Sequence, residues 1–110
     1  MASKIISKND LQKNAIVLNE DLSRLLHQRG VFPVLGGGSP LIVHGVRMFL
    51  VNSGRDIVVS YYASVRNGSD RPIEERIWSA ELAEACSIGD ELNIEFQKNR
   101  FIVEVRPPPG

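Results

Sequence analysis

A chain of 110 residues has the length of one domain, and its 13 basic and 13 acidic side chains give a net charge of zero. The shares of hydrophobic residues, 43%, and of charged residues, 24%, are typical of globular proteins and exclude a disordered or fibrous chain. No apolar run approaches the roughly 18 residues of a transmembrane helix, and residues 1–7 lead into no signal-peptide core, so we expect a cytoplasmic protein that does not associate with membranes.

The first 30 residues predict two short strands and one helix. The strands, 4–7 and 15–18, flank the polar segment 7–14, whose Ser, Asn, Asp and Lys side chains favour a turn. Asn19 is a good N-cap for a helix whose leucines recur at i, i+3 and i+4, and Gly30 ends that helix.

The middle of the chain predicts a loop followed by long strands. Three consecutive glycines make 32–40 a loop, because glycine is entropically unfavourable inside a helix or strand. Segment 41–51 is either a strand pair or one bent strand with Gly45 at the kink. A hairpin turn at 52–55 leads into the β-branched and aromatic strand 56–65.

The last third predicts one strand, a second helix and a β-hairpin. The strand is 72–78, Ser79 caps the short helix that follows it, and Gly89 ends that segment. Apolar residues then alternate along 90–96 and 100–105, which indicates two antiparallel strands joined by a tight turn.

Seven short strands, two short helices and frequent turns favour an antiparallel barrel or sandwich over a doubly wound sheet. The expected core takes apolar positions from nearly every element: Ile16, Leu25, Val43, Val58, Trp78, Leu82, Leu92, Ile94 and Val103. The chain ends in RPPPG, and because three prolines cannot extend a sheet, residues 107–110 are expected to begin a linker to a further domain.

The distribution of charge is less even than the net charge suggests. Residues 1–73 carry nine Lys or Arg against five Asp or Glu, whereas residues 74–110 carry four against eight. Such an asymmetry can give a neutral protein a basic face, and in so short a chain it can also arise by chance.

The sequence predicts no active site, no metal site and no cofactor. Cys86, the single cysteine, excludes an internal disulfide, fits a reducing compartment and falls on an apolar helical stripe, so it is expected in the core. His27 and His44 have no neighbours at metal-ligand spacing, and one cysteine cannot complete a zinc site. Glu74 and Glu75 are adjacent on a strand, so they point to opposite faces and cannot act as a catalytic pair.

The order of several motifs resembles that of B3-type DNA-binding domains. Segment 6–26 is similar to the opening of that family, in which a strand, a Ser/Thr-x-x-Asp-Leu/Val turn, a second strand and a helix follow one another. Segment 61–92 is similar to its second half, with an aromatic-rich strand, a polar loop, Trp78 before a helix and a Gly-Asp pair before a strand. The stretch FPVLGGGSP, 32–40, resembles the Phe-Pro and Gly-Gly stretch of B3-like domains in bacterial restriction endonucleases.

This resemblance implies a mainly β, B3-like, seven-stranded open antiparallel pseudobarrel over residues 1–106, with two short helices. It implies that two arms grip the major groove of double-stranded DNA: a first arm, residues 7–14, and a second arm, residues 66–71. It further implies that the chain is the non-catalytic target-recognition domain of a type II restriction endonuclease. Such a domain would be monomeric in isolation and linked to a nuclease domain of the same polypeptide.

The chemistry of the side chains suggests roles within the arms that the resemblance implies. The planar guanidinium of arginine can form two hydrogen bonds with guanine, and a side-chain amide can form two with adenine. A carboxylate can accept a hydrogen bond from cytosine. Lysine acts as a point charge and is better suited to contact phosphates. Asp10 is expected to close the first turn as a cap. The candidate base contacts are Asn9, Gln12, Asn14, Arg66, Asn67, Ser69, Asp70 and Arg71. The candidate phosphate contacts are Ser7, Lys8, Lys13, Gly38 and Ser39.

Alternatives to this interpretation stay open. Residues 67–70 have the composition of a simple turn, and the glycine stretch has that of a flexible loop. The alternative function is a barrel-type domain that binds a protein or a small ligand and does not bind DNA.

Overall fold

The computed structural model describes residues 2–12, 15–32, 41–65 and 73–108, with the backbone alone for 41–44 and 65. In these ranges seven strands form one curled, open sheet, accompanied by three short helices. The strands are β1 (Ala2–Ile5), β2 (Ile16–Val17), β3 (Leu41–Leu50), β4 (Arg55–Val65), β5 (Ile73–Trp78), β6 (Glu91–Gln97) and β7 (Arg100–Arg106). The helices are α1 (Lys8–Gln12), α2 (Glu20–Gln28) and α3 (Ala80–Ala85). None of these helices is long and apolar enough to cross a membrane.

The strand order places β3 in the middle of the sheet and leaves β1 and β2 as its two edges. The order is β1-β6-β7-β3-β4-β5-β2. All pairings are antiparallel except that of β3 with β7, which is parallel over three residues, 48–50 with 101–103. This parallel pair is possible because β4, β5, α3 and β6 supply the long connection that parallel strands require.

Local signals explain where most elements begin and end. Asn19 and Ser79 accept hydrogen bonds from the backbone N–H groups of Leu22 and Leu82, so both act as the predicted N-caps. The predicted hairpin forms with Lys98 and Asn99 at positive φ in its two-residue turn. The prediction of a plain turn over 7–14 is wrong, because residues 8–12 form the helix α1.

Gly45 lies at a bulge in β3, as predicted, where the register with β4 shifts between Val43 and Val46. Its φ of 85° is in the left-handed region, and an added Cβ would meet nothing within 4 Å. Gly45→Ala is therefore expected to lower the free energy of unfolding by about 1–2 kcal/mol through backbone strain alone. Urea denaturation measures this loss. Arg47→Ala, which truncates an exposed side chain on the same strand, should leave the midpoint nearly unchanged. Equal midpoints for the two variants would contradict the assignment.

The core lies on the inner face of the curled sheet, under α2 and α3. Five of the predicted core residues are buried: Ile16, Leu82, Leu92, Ile94 and Val103. Leu25 packs against the core and Trp78 is half-buried, while the side chain of Val43 lies outside the described residues. The prediction for Val58 is wrong, since it is 58% exposed.

The error at Val58 follows from the pleat of β4. Val58 pairs with Arg47 on the outer face, while Ile57, Val59 and Tyr61 point inward and are buried. The run from Ile57 to Val59 is apolar throughout, so its composition does not say which alternate residues face the core.

Cys86 is a core residue, as predicted, and is 8% exposed. Burial, followed by the negative charges of Asp90 and Asp10, raises the pKa of its thiol to about 11. The thiol therefore stays protonated at neutral pH, where a reactive cysteine would be a thiolate.

Candidate nucleic-acid interface

The described part of the first arm, residues 7–12, lies at the open seam between the two edge strands. Residues 6–15 connect β1 to β2, and within this connection α1 spans the gap. Two side chains bridge the same gap. The Asn19 side-chain amide donates to the carbonyl of Ser3 at 2.7 Å, and Lys4 Nζ donates to the carbonyl of Val17. Side chains, rather than a backbone ladder, therefore hold the seam together in the described part of the chain.

Asp10 lies on the buried side of α1, is 1% exposed and anchors the first arm through hydrogen bonds. One oxygen accepts from the backbone N–H of Ser7 at 2.9 Å and from its hydroxyl at 3.1 Å, and the other accepts from the N–H of Val17 at 2.9 Å. Lys4 Nζ lies 3.0 Å from the carboxylate. The Ser7 hydroxyl accepts in turn from the N–H of Asp10 at 3.4 Å, which makes a capping box at the start of α1. The prediction that Asp10 closes this segment is confirmed.

Two opposing effects act on the pKa of Asp10. Burial by itself raises it, while the N–H groups of Ser7 and Val17 and the ammonium of Lys4 lower it. The second group of effects is larger, so the pKa lies below its ordinary value of 3.8. The carboxylate is therefore ionised at neutral pH and forms a true ion pair with Lys4.

The outer side of the first arm is polar and exposed. Asp10 is buried and Leu11 is partly buried against the core, whereas the predicted contact residues described here all reach solvent. These are Ser7, Lys8, Asn9 and Gln12. Positions i, i+1 and i+4 lie on one side of a helix, so α1 presents its lysine and both of its amides together. Lys13 and Asn14 lie outside the described residues.

The second arm can be located by its root, where β4 and β5 pair. Val65 is opposite Ile73, and the pairing continues to Ser60 opposite Trp78. The candidate residues of this arm and of the glycine stretch lie outside the described residues: Arg66, Asn67, Ser69, Asp70, Arg71, Gly38 and Ser39. The first arm joins the same strand from the other side, since Ile16 is opposite Ile77. The two roots are therefore separated by four residues along β5 and lie on opposite sides of this strand.

A hydrogen-bond network around Glu75 lies close to the root of the second arm. The hydroxyl of Tyr61 donates to Glu75 Oε2, and His27 Nε2 lies 2.6 Å from the same oxygen. Burial, together with the hydrogen bond and negative charge of Glu75, raises the pKa of Tyr61. Glu74 points to the opposite face, as predicted, and its carboxylate lies 2.7 Å from Arg76. The network joins α2 to β5 across 48 residues of sequence, and no local pattern indicates it.

Between α2, β2 and the start of β5 lies a cleft of about 670 Å³. One face of α2 lines it with Glu20, Ser23, Arg24 and His27, and β5 adds Glu74 and Glu75. The carboxylates of Glu20 and Glu75 outnumber the one arginine, Arg24, which pairs with Glu20 at 2.9 Å. The cleft is therefore poorly suited to a phosphate and could instead admit a small polar ligand.

An arginine pair occupies the wall opposite the seam. Arg47 on β3 and Arg100 on β7 directly precede Met48 and Phe101, which are in register with each other. Arg47 is exposed, and the Arg100 guanidinium stacks 4.6 Å from the ring of Phe49. Since β3 is the middle strand of a curled sheet, this pair faces away from the first arm.

Comparison with known proteins gives a likeness of fold. No family model matches the sequence, and no curated protein matches it. Among solved structures, the chain is similar to that of the Arabidopsis FUS3–DNA complex, a plant B3 domain, with a TM-score of 0.67 and 15% sequence identity. The alignment covers 98% of this chain and 97% of that one. The chain therefore has a B3-like pseudobarrel fold, as predicted, with three short helices rather than two.

Proposed function

We propose that this domain binds double-stranded DNA through its two arms. The supporting observation is the exposed polar side of α1, which carries Lys8, Asn9 and Gln12 and is fastened across the seam by Asp10. The fold adds support, because the similar FUS3 chain was solved in a complex with DNA.

In this proposal some residues contact the phosphates of the duplex and others contact the edges of the bases. Phosphates are contacted by Ser7, Lys8, Lys13, Gly38 and Ser39, which set the position of the domain on the duplex. Base edges are contacted by Asn9, Gln12 and Asn14 from the first arm, and by Arg66, Asn67, Ser69, Asp70 and Arg71 from the second arm. No catalytic residue is assigned to this chain.

We also propose a biological setting, which is the recognition of a target sequence for a type II restriction endonuclease. Support comes from the similarity of segment 32–40 to bacterial B3-like domains and from the prolines at 107–109. In this setting residues 1–106 are the DNA-binding domain, residues 107–110 begin a linker to a nuclease domain of the same polypeptide, and the isolated domain is a cytoplasmic monomer. Selection of binding sites from random duplexes tests sequence specificity, and a short consensus is the expected result.

A salt titration tests DNA binding directly. If Lys8 and Lys13 neutralise phosphates, Lys8→Ala or Lys13→Ala should lower the slope of log K against log salt by about one each and weaken binding to all duplexes equally. Arg47→Ala is the matched control, because it removes an exposed cation from the wall opposite the first arm and should leave the slope unchanged. A loss confined to one base position would instead show that these lysines contact bases.

The alternative function is supported by the cleft beside α2, which is large enough for a small polar ligand. If the wild-type chain binds no duplex at about 50 mM salt, DNA binding is excluded and this cleft becomes the candidate site. Ser23→Trp, which would fill the cleft, should then abolish ligand binding without affecting the first arm.

A further inference from the structure

We propose that Lys4 and Asp10 are positioning residues for DNA binding. Their buried ion pair fastens α1 to both edges of the sheet, so that its exposed side meets the duplex in one orientation. This inference rests on the proposed function, but its structural half can be tested without DNA.

Lys4 joins three elements at one point. It lies on β1, its ammonium pairs with Asp10 on α1 at 3.0 Å, and it donates to the carbonyl of Val17 on β2. The side chain of Lys4 is only 13% exposed, so this is not a solvated surface ion pair. An ammonium has three N–H donors, and here they link the two edges of the open sheet through the first arm.

Asp10 acts only through the position of the arm. Its two oxygens accept hydrogen bonds from the Ser7 N–H and hydroxyl, the Val17 N–H and the Lys4 ammonium. With these four partners and 1% exposure, the carboxylate has neither the access nor the free lone pairs to contact DNA. Any effect of Asp10 on DNA binding must therefore pass through the groups that it holds.

Helix α1, which Lys4 and Asp10 hold, is too short to keep a fixed orientation without contacts to the rest of the domain. α1 has five residues, far fewer than an isolated helix needs to be stable in water. Apart from the ion pair, α1 is held by the hydrogen bond from the Val17 N–H to Asp10 and by Leu11, which is only partly buried. The direction in which Lys8, Asn9 and Gln12 point therefore depends on Asp10, and Lys4 holds the carboxylate of Asp10 in place.

Lys4→Met tests this role, because methionine keeps the aliphatic stem and removes the ammonium. We expect weaker binding to the selected duplex and, more decisively, a change in the effect of Lys8. In the wild-type background Lys8→Ala should lower the salt slope by about one, whereas in the Lys4→Met background it should lower it by less than half as much. A full effect of Lys8→Ala in both backgrounds would overturn the proposal.

Val103→Ala controls for simple loss of stability. Val103 is fully buried on β7, away from the seam, so its truncation destabilises the fold without touching the arm. In this background the effect of Lys8→Ala should be the same as in the wild type.

Amide hydrogen exchange tests the fastening without DNA. In Lys4→Met the amides of Gln12 and Ala15 should exchange at least tenfold faster, while that of Leu26 in α2 changes little. Unchanged exchange at Gln12 and Ala15 would overturn the fastening, whatever the DNA result. If exchange is faster in Lys4→Met but the wild-type chain binds no duplex, Lys4 and Asp10 do hold α1 in place. In that case it is the proposed function that is overturned.

Discussion

Asp10→Ala is expected to lower the free energy of unfolding by about 3–5 kcal/mol, because it removes one partner of a buried ion pair. The ammonium of Lys4, in a side chain only 13% exposed, would lose its counterion, and the N–H of Val17 would lose its acceptor. Urea denaturation at pH 7 measures the change. A loss below about 1 kcal/mol would show that water replaces the carboxylate and that the pair contributes little.

Asp10→Asn is the matched control, and it makes the stability depend differently on pH. Because the pKa of Asp10 is lowered in the folded chain, its contribution is complete above the ordinary value of 3.8 and is lost as the pH falls through the folded pKa. The difference in stability between the wild type and Asp10→Asn should therefore be largest near neutral pH and shrink below about pH 4. The thiol of Cys86, which lies near Asp10 and has its pKa raised to about 11, stays protonated over this range and does not contribute to the change. A difference that is constant from pH 3 to pH 7 would contradict the assignment.

The second large effect is expected from the arginines of the second arm. Arg66→Ala or Arg71→Ala should weaken binding to the selected site by about 1–3 kcal/mol and change binding to random DNA little, because a bidentate guanine contact is lost. Lysine should not restore it, since an ammonium lacks the planar fork. Asp70→Asn should change the base accepted at one position more than it changes affinity.

Arg55→Ala is the control for these arginines. Arg55 is exposed at the opposite end of β4 from the second arm, so its loss should affect neither affinity nor the selected consensus. Competition binding with duplexes that differ at single positions measures both quantities. If the changes at Arg66, Arg71 and Asp70 leave affinity and consensus as they were, the second arm does not contact the bases.

The sequence by itself determined those features that depend on neighbouring residues. Asn19 and Ser79 start helices because a side-chain oxygen can reach a backbone N–H three residues on. Gly45 marks the bulge because its φ is unfavourable for other residues, and the alternation along 91–106 specifies a hairpin. The capping box at Ser7 and Asp10 was a local signal from which α1 could have been predicted.

Only the tertiary structure decided the features that join distant segments. Whether Val58 or its neighbours face the core depends on the register with β3, which an unbroken apolar run does not specify. No pattern in the sequence indicates the role of Lys4. That role depends on the curl of the sheet, which places β1 near β2 so that Lys4 can contact both Asp10 and Val17. Glu75 contacts Tyr61 across the β4–β5 pair and His27 through the packing of α2, and both contacts join segments that are distant in sequence. Buried charges find their partners only when the chain closes, since no short-range pattern encodes a contact between the two edges of a sheet.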